Sequence, residues 1–187
     1  MVPLTSLWTP IFLSAFVVFL ASFVTHMLLT HHRADYRAVP DEDALMDAVR
    51  TFNLPPGDYL VPRPKDMADM RSPEFVAKMK RGPRFMATIF PASVGMGPQL
   101  AQWFLFCVVV SLFAGYIGSR SLPPGAEYLR VSQMVSATAF VGYVLARWSD
   151  VIWYHKSLGS AVRFTIDGLL YAFLTGGVFG WLWPATL

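Results

Sequence analysis

The first 32 residues contain no aspartate, glutamate, lysine or arginine, and residues 85–119 contain none either. A helix built from such a stretch has no charged face to turn toward water, so it must be surrounded by apolar material on all sides. In the whole chain 14% of residues are charged and 55% are hydrophobic, against about 25% charged in ordinary soluble domains. Four stretches approach the ~20 residues needed to cross a bilayer as helix. They run over residues 9–29, 101–118, 130–147 and 164–183. Helices are expected throughout, because backbone groups in lipid must be paired within the segment. The second and third stretches are short or carry polar residues, which predicts tilting or local thinning of the bilayer.

The first stretch does not read as a cleaved leader. MVPLTSLWTP has no basic side chain, the apolar run is about 20 residues, and THMLLTHHR follows in place of a small-residue cleavage site. Trp8, Trp103, Trp148, Trp153, Trp181, Trp183 and Tyr154 all fall near the ends of the four stretches, the pattern of an interfacial aromatic belt. The single cysteine, Cys107, lies inside an apolar stretch and reads as a small buried residue.

These features predict an all-α polytopic membrane protein. Residues 1–30 form the first transmembrane helix, 31–100 a small mixed cytoplasmic subdomain, and 101–187 a three-helix transmembrane region. The 31–100 segment carries ten Lys or Arg and nine Asp or Glu. Arg33 and Arg37 follow the first span, and Arg147, Lys156 and Arg163 surround the connection between the third and fourth. The positive-inside rule then puts both connections in the cytoplasm and both termini outside it. The expected location is a bacterial inner membrane.

Inside the 31–100 segment, acids at Asp41, Glu42 and Asp43 and a base at Arg50 suit the dipole of a short helix. Ser72-Pro73-Glu74 reads as the start of a second. PPGDYLVPRP and RFMATIF read as short extended pieces, weakened as strands by the prolines. A net charge of +3 without a long basic run gives no reason to expect nucleic acid as a partner. Membrane lipid, other integral membrane proteins or a second copy are the expected partners.

Asp167 is the one acid of the fourth stretch. Ionisable residues inside a membrane face a protein interior or a functional site. With helix entry near Phe164, it lies less than one turn deep. Arg163 and Tyr171, four residues to either side, share its helix face. A packed hydrogen bond, a proton or ion site, and a catalytic carboxylate are the open readings. Arg147, Asp150, His155, Lys156 and Arg163 form a further polar concentration, so a network of Asp167, Tyr171, Arg163, His155, Asp150 and Arg147 at the cytoplasmic mouth is a candidate site. His26, His31, His32, Asp35 and His155 could supply metal ligands near one membrane face, but no zinc-motif spacing or cysteine cluster supports that, so no metal site is assigned and interfacial hydrogen bonding is the expected role of the histidines. Gly168, Ala172, Gly176 and Gly180 recur every four residues, a small-residue track for close helix packing. Ser136, Ala139, Gly142 and Ala146 offer a complementary surface on the third span, and Ser111, Gly115 and Gly118 one on the second.

HHRADYRAVPDEDALMDAVR, PPGDYLVPRP and DGLLYAFLTGGVFGWLWP together resemble a family of bacterial multi-span membrane proteins of uncharacterised function. The resemblance covers nearly the whole chain. It implies a shared architecture and carries no active-site residue across. No nucleophile elbow, phosphate loop, dinucleotide fingerprint or HExxH pair is present. The resulting expectation is an accessory, scaffold or assembly subunit of a membrane complex. The alternatives are a small transporter or ion-translocating component using Asp167, and a membrane-embedded enzyme with an interfacial His/Asp site. No cofactor is specified by the sequence.

Overall fold

The computed structural model describes residues 1–91 and 95–186. Four helical runs are long and apolar enough to span a membrane: Leu4–Leu28, Met96–Ser121, Tyr128–Tyr154 and Leu158–Trp181. The first is built on α1 (Trp8–Phe23) and ends in a widened π-type turn over Val24–Leu28. Two short helices, α2 (Glu42–Arg50) and α3 (Pro73–Arg81), alternate with strands β1 (Gly57–Val61) and β2 (Phe85–Ile89). The remaining spans are α4 (Met96–Ser121), α5 (Tyr128–Tyr143) continued by α6 (Trp148–Tyr154), and α7 (Leu158–Trp181). The fold is therefore a four-helix membrane-spanning bundle with a small mixed subdomain, as the sequence predicts.

Two compact units divide the chain: Met1–Arg37 with Gly95–Leu187, and Ala38–Val94. The HHRAD segment thus belongs with the helices, seven residues later than the expected boundary at residue 30. The reason is electrostatic: His31, His32 and Asp35 find their partners on α7.

In α1 and α4, small and polar residues gather on the inward face beside Ile11, Val18 and Val110, while most of the phenylalanines turn outward. On α1, Ile11, Ser14, Ala15, Val18 and Ser22 are buried at helical spacing, while Phe12, Phe16, Leu20 and Phe23 are exposed. On α4 the buried set is Cys107, Val110, Ser111, Ala114, Gly115, Gly118 and Ser119, with Leu105, Phe113 and Ile117 outside. Lipid supplies no hydrophobic drive between helices, so close packing of small residues and buried hydrogen bonds must join them. Ser14 Oγ and Ser111 Oγ make such a bond at 3.1 Å between α1 and α4.

The small track of α7 lies against α5. A Cβ at Gly168 would collide with Val144, and one at Gly176 with the Ser136 hydroxyl. A Cβ at Gly180 would come within 2.7 Å of the Tyr128 ring. Ala172, between them, is buried. Of the expected complementary surface, Ser136 and Ala139 are buried, Gly142 faces Val110 of α4, and Ala146 lies beyond the end of α5 and is exposed.

At the end of the bundle that holds both termini, Val2 N donates to the Ser119 carbonyl at 3.2 Å and Gly125 N to the Pro184 carbonyl at 2.8 Å. Trp183 Nε1 donates to the Pro123 carbonyl at 2.9 Å. Trp183 is thus folded inward, as is Trp103, whose Nε1 donates to Ser22 Oγ at 2.7 Å. Trp8, Trp153 and Trp181 remain exposed where interfacial anchors belong.

In the second unit, the Asp41 side chain accepts from Ala44 N at 2.9 Å and the Ser72 hydroxyl from Phe75 N at 3.1 Å, the caps the sequence calls for. β1 and β2 pair antiparallel, from Gly57 opposite Ile89 to Val61 opposite Phe85. Thr88 Oγ1 donates to Asp58 across the pair at 2.7 Å.

Candidate functional site

The site forms where α1 ends and α7 begins. The widened turn over Val24–Leu28 carries Thr25 and His26, Leu29 breaks into extended backbone, and a short 3-10 turn over His31–Asp35 follows. Across from it, Arg163, Asp167 and Tyr171 stand four residues apart on one stripe of α7, as helical spacing dictates. α7 begins at Leu158, earlier than the expected entry at Phe164. Asp167 is therefore nine residues into the helix, about 14 Å along its axis at ~1.5 Å per residue.

The three stripe residues bond to the α1 end of the chain and not to one another. His32 Nε2 lies 2.6 Å from Asp167 Oδ2, and His31 Nε2 lies 3.3 Å from Asp167 Oδ1. His32 Nδ1 lies 2.6 Å from Asp35 Oδ2. Arg163 donates from Nε to Asp35 Oδ1 at 2.7 Å, with Nη2 at 2.5 Å from the same oxygen. The Tyr171 hydroxyl lies 2.7 Å from Thr25 Oγ1 and 3.5 Å from His26 Nδ1. Both carboxylates are sheltered, with side chains 6% exposed at Asp35 and 5% at Asp167.

Burial by itself raises the Asp35 carboxyl, but hydrogen bonds from His32 and Arg163 outweigh it and hold the group below its ordinary value. His32 is placed differently again. It has a carboxylate oxygen at each ring nitrogen, and each N–O pair needs a proton or a cation between its atoms. Asp35 fixes the ring through Nδ1 and leaves Nε2 turned to Asp167. A carboxylate behind a histidine in this way is the usual support of a metal-ligating imidazole.

His26 completes the group. Its ring stacks on His32 with centroids 4.3 Å apart and planes 17° apart. Its Nδ1 sits 3.1 Å from the Ser22 carbonyl, which leaves Nε2 without that tie. One ligand atom each from His26, His32 and Asp167 lie within 4.8 Å of one another. This cluster is able to coordinate a metal ion or to serve as another kind of functional site within the bundle. Two imidazoles and a carboxylate are a familiar donor set for zinc-class ions, although His32 Nε2 and Asp167 Oδ2, 2.6 Å apart, would have to part to admit one between them.

Aromatic rings wall the cluster. Phe164 faces His32 with centroids 5.1 Å apart, and the Arg147 guanidinium lies 3.9 Å above the Phe164 ring. On the core side, Tyr171 meets Tyr143 edge-on at 5.7 Å, and Trp103 lies 6.3 Å from Tyr171. Tyr171 and Tyr143 are both buried.

Of the six residues grouped from sequence, Asp167, Tyr171 and Arg163 enter this site directly and Arg147 reaches it through Phe164. Asp150 lines a neighbouring cleft. His155 ends α6 in a left-handed conformation at φ 53° and is exposed, away from the cluster. Among the other histidines named as metal candidates, His26 and His32 converge, His31 flanks them, and Asp35 acts behind His32. Thr25 and Phe164 escape a reading by residue chemistry, because a threonine and a phenylalanine in apolar runs look like ordinary span residues. No family model, curated protein or solved structure matches the chain.

Proposed function

We propose that the protein is a membrane-embedded metal-dependent enzyme whose His26, His32 and Asp167 hold a zinc-class divalent ion at the cytoplasmic membrane face. The observation that carries the reading is the convergence of these three ligand atoms within 4.8 Å. Three protein ligands leave a fourth position for water, the arrangement of catalytic rather than structural zinc. The chemistry an ion held there would supply is activation of water near neutral pH, so hydrolysis is the reaction class we assign. Asp35 orients His32, and Arg163 holds Asp35 ionised for that task.

The aromatic floor of Tyr171, Tyr143 and Trp103 favours a resident ion over one in transit. It backs the cluster with rings in the direction a translocation path through Asp167 must take. The accessory-subunit reading draws less from the structure. The glycine track that suggested it is occupied by α5 of the same chain. We propose a bacterial inner membrane with both termini outside as the setting, the orientation resting on the charge bias of the loops.

The test is metal content and titration. The purified chain is expected to bind about one Zn²⁺ tightly, and His32→Ala and Asp167→Asn to lose it. Zinc titration without saturable binding to the wild type, or equal binding by Asp167→Asn, removes the proposal. Hydrolysis of a chromogenic ester or phosphodiester, lost with EDTA and restored by zinc, checks the reaction class.

A further inference from the structure

Beside the His/Asp cluster, a cleft of about 220 Å³ opens between α6 and the start of α7. Arg147, Asp150, Lys156, Ser157, Ser160 and Phe164 line it together with Asp35 and Tyr36. Three of its charged groups are uncommitted. Among the described residues, Arg147, Lys156 and Asp150 have no ion-pair partner within 4.0 Å. Asp35 is different, since His32 and Arg163 already engage it. The cleft thus offers two free cations and one free carboxylate.

Its position adds a second constraint. Trp153 and Tyr154, at the end of α6, are exposed as membrane-interface anchors are, so the cleft lies at the level of lipid headgroups. Arg147 is held against the Phe164 ring, which fixes its guanidinium at the wall and leaves N–H groups free to donate. Ser157 caps α7 by accepting from Ser160 N at 3.4 Å, so the positive end of a 24-residue helix adjoins the lining. The volume is below the ~300 Å³ at which drug-sized sites begin, which suits a headgroup rather than a larger ligand.

We propose that this cleft binds a phosphate ester that also carries a primary ammonium, the chemistry of an ethanolamine phospholipid headgroup and of free phosphoethanolamine. The phosphate meets Arg147, Lys156 and the start of α7. The ammonium donates to Asp150. A choline group has no N–H to donate, and a glycerol headgroup offers only neutral hydroxyls, so neither gives the carboxylate a charge-assisted hydrogen bond. The inference does not depend on metal at the neighbouring cluster.

The experiment is native mass spectrometry of the full chain, released from nanodiscs that contain phosphatidylethanolamine, phosphatidylcholine and phosphatidylglycerol with matched acyl chains. The wild type is expected to retain the ethanolamine lipid about fivefold over the choline lipid, the effect of one charge-assisted hydrogen bond at a wet face. Asp150→Asn is expected to erase that preference while phosphate-dependent retention persists. Arg147→Gln with Lys156→Gln is expected to lower retention of all three lipids, and Lys80→Gln with Arg81→Gln to change nothing. Because Arg147 also packs on Phe164, Asp150→Asn is the decisive variant if the double variant fails to fold. Equal retention of the three lipids, a preference for phosphatidylglycerol, or an unchanged preference in Asp150→Asn overturns the assignment. Displacement by millimolar phosphoethanolamine but not by inorganic phosphate supports the shared chemistry and points to a soluble source. Displacement by inorganic phosphate alone reduces the cleft to a simple anion site and overturns the ammonium contact. Zinc content measured on the same samples separates this outcome from the metal reading.

Discussion

The two ends of the bundle close in different ways. At the end with the termini, neutral bonds do the work: Trp183 to the Pro123 carbonyl, Gly125 to the Pro184 carbonyl, and Val2 to the Ser119 carbonyl. At the other end, Arg163, Asp35, His32, His31 and Asp167 are drawn together in a largely sheltered chain of ionisable groups. Both solutions tie helices to loops. Burying ionisable groups is the more demanding one, because desolvation opposes it and every partner must be present. At the end with the termini the buried ties are neutral, so tying a helix to a loop does not by itself require buried ionisable pairs. The ionisable groups at the other end therefore call for a reason beyond sealing, and the proposed ion site is one.

That contrast can be broken from either side. The largest effect is expected at Asp167. Asp167→Ala strands His31 and His32 beside a cavity, and a loss on the order of 3 kcal/mol should follow. Denaturant titration in detergent checks it, and a variant as stable as wild type would reverse our view of the charged end. Next comes Gly176→Ala, between the two ends. Its methyl group meets Ser136 and the Ser132 carbonyl, and overpacking of this kind costs about 2 kcal/mol. The same titration reads it, with loss of α5–α7 proximity by crosslinking as a second readout. Trp183→Phe at the neutral end removes one hydrogen bond and should cost only about 1 kcal/mol. A larger loss there than at Asp167 would invert the comparison.

The smallest effect near neutrality is that of pH. The Asp35 carboxyl is held below its ordinary value, near 3.8. A depressed carboxyl contributes stability that is complete above the ordinary value and is lost as pH falls through the lowered one. Asp35→Asn should thus be less stable than wild type at pH 5, above the ordinary value of the carboxyl. The gap should narrow only below about pH 4. Trp183→Phe should show no such convergence, since its bond carries no titrating group.

Much of the fold is legible in the sequence, for reasons that differ by region. Spans announce themselves because charge-free runs of this length have no other stable setting. The caps at Asp41 and Ser72 are local, so residue type and position suffice to place α2 and α3. The glycine track of α7 marks a packing face, but only the structure shows that α5 fills it. The site is harder. HHRAD and Asp167 are each conspicuous, yet 135 residues separate His32 from Asp167. Spacing along α7 correctly aligns Arg163, Asp167 and Tyr171 and says nothing about what faces them. The turn that aims His26 is equally hidden, since THML carries no glycine or proline to betray a change in helical pitch. Likewise the tryptophans mark span ends, but which of them fold inward depends on acceptors such as Ser22 and the Pro123 carbonyl.

The Asp35–His32–Asp167 string also has a consequence for how the molecule is made. His31, His32 and Asp35 leave the ribosome long before Arg163 and Asp167 exist. During that interval they stand at the membrane surface without the partners they will later bury with. Only insertion of the last span brings those partners alongside. The assembled cluster is thus a record of finished insertion, and a nascent chain stalled after three spans has the histidines without the site.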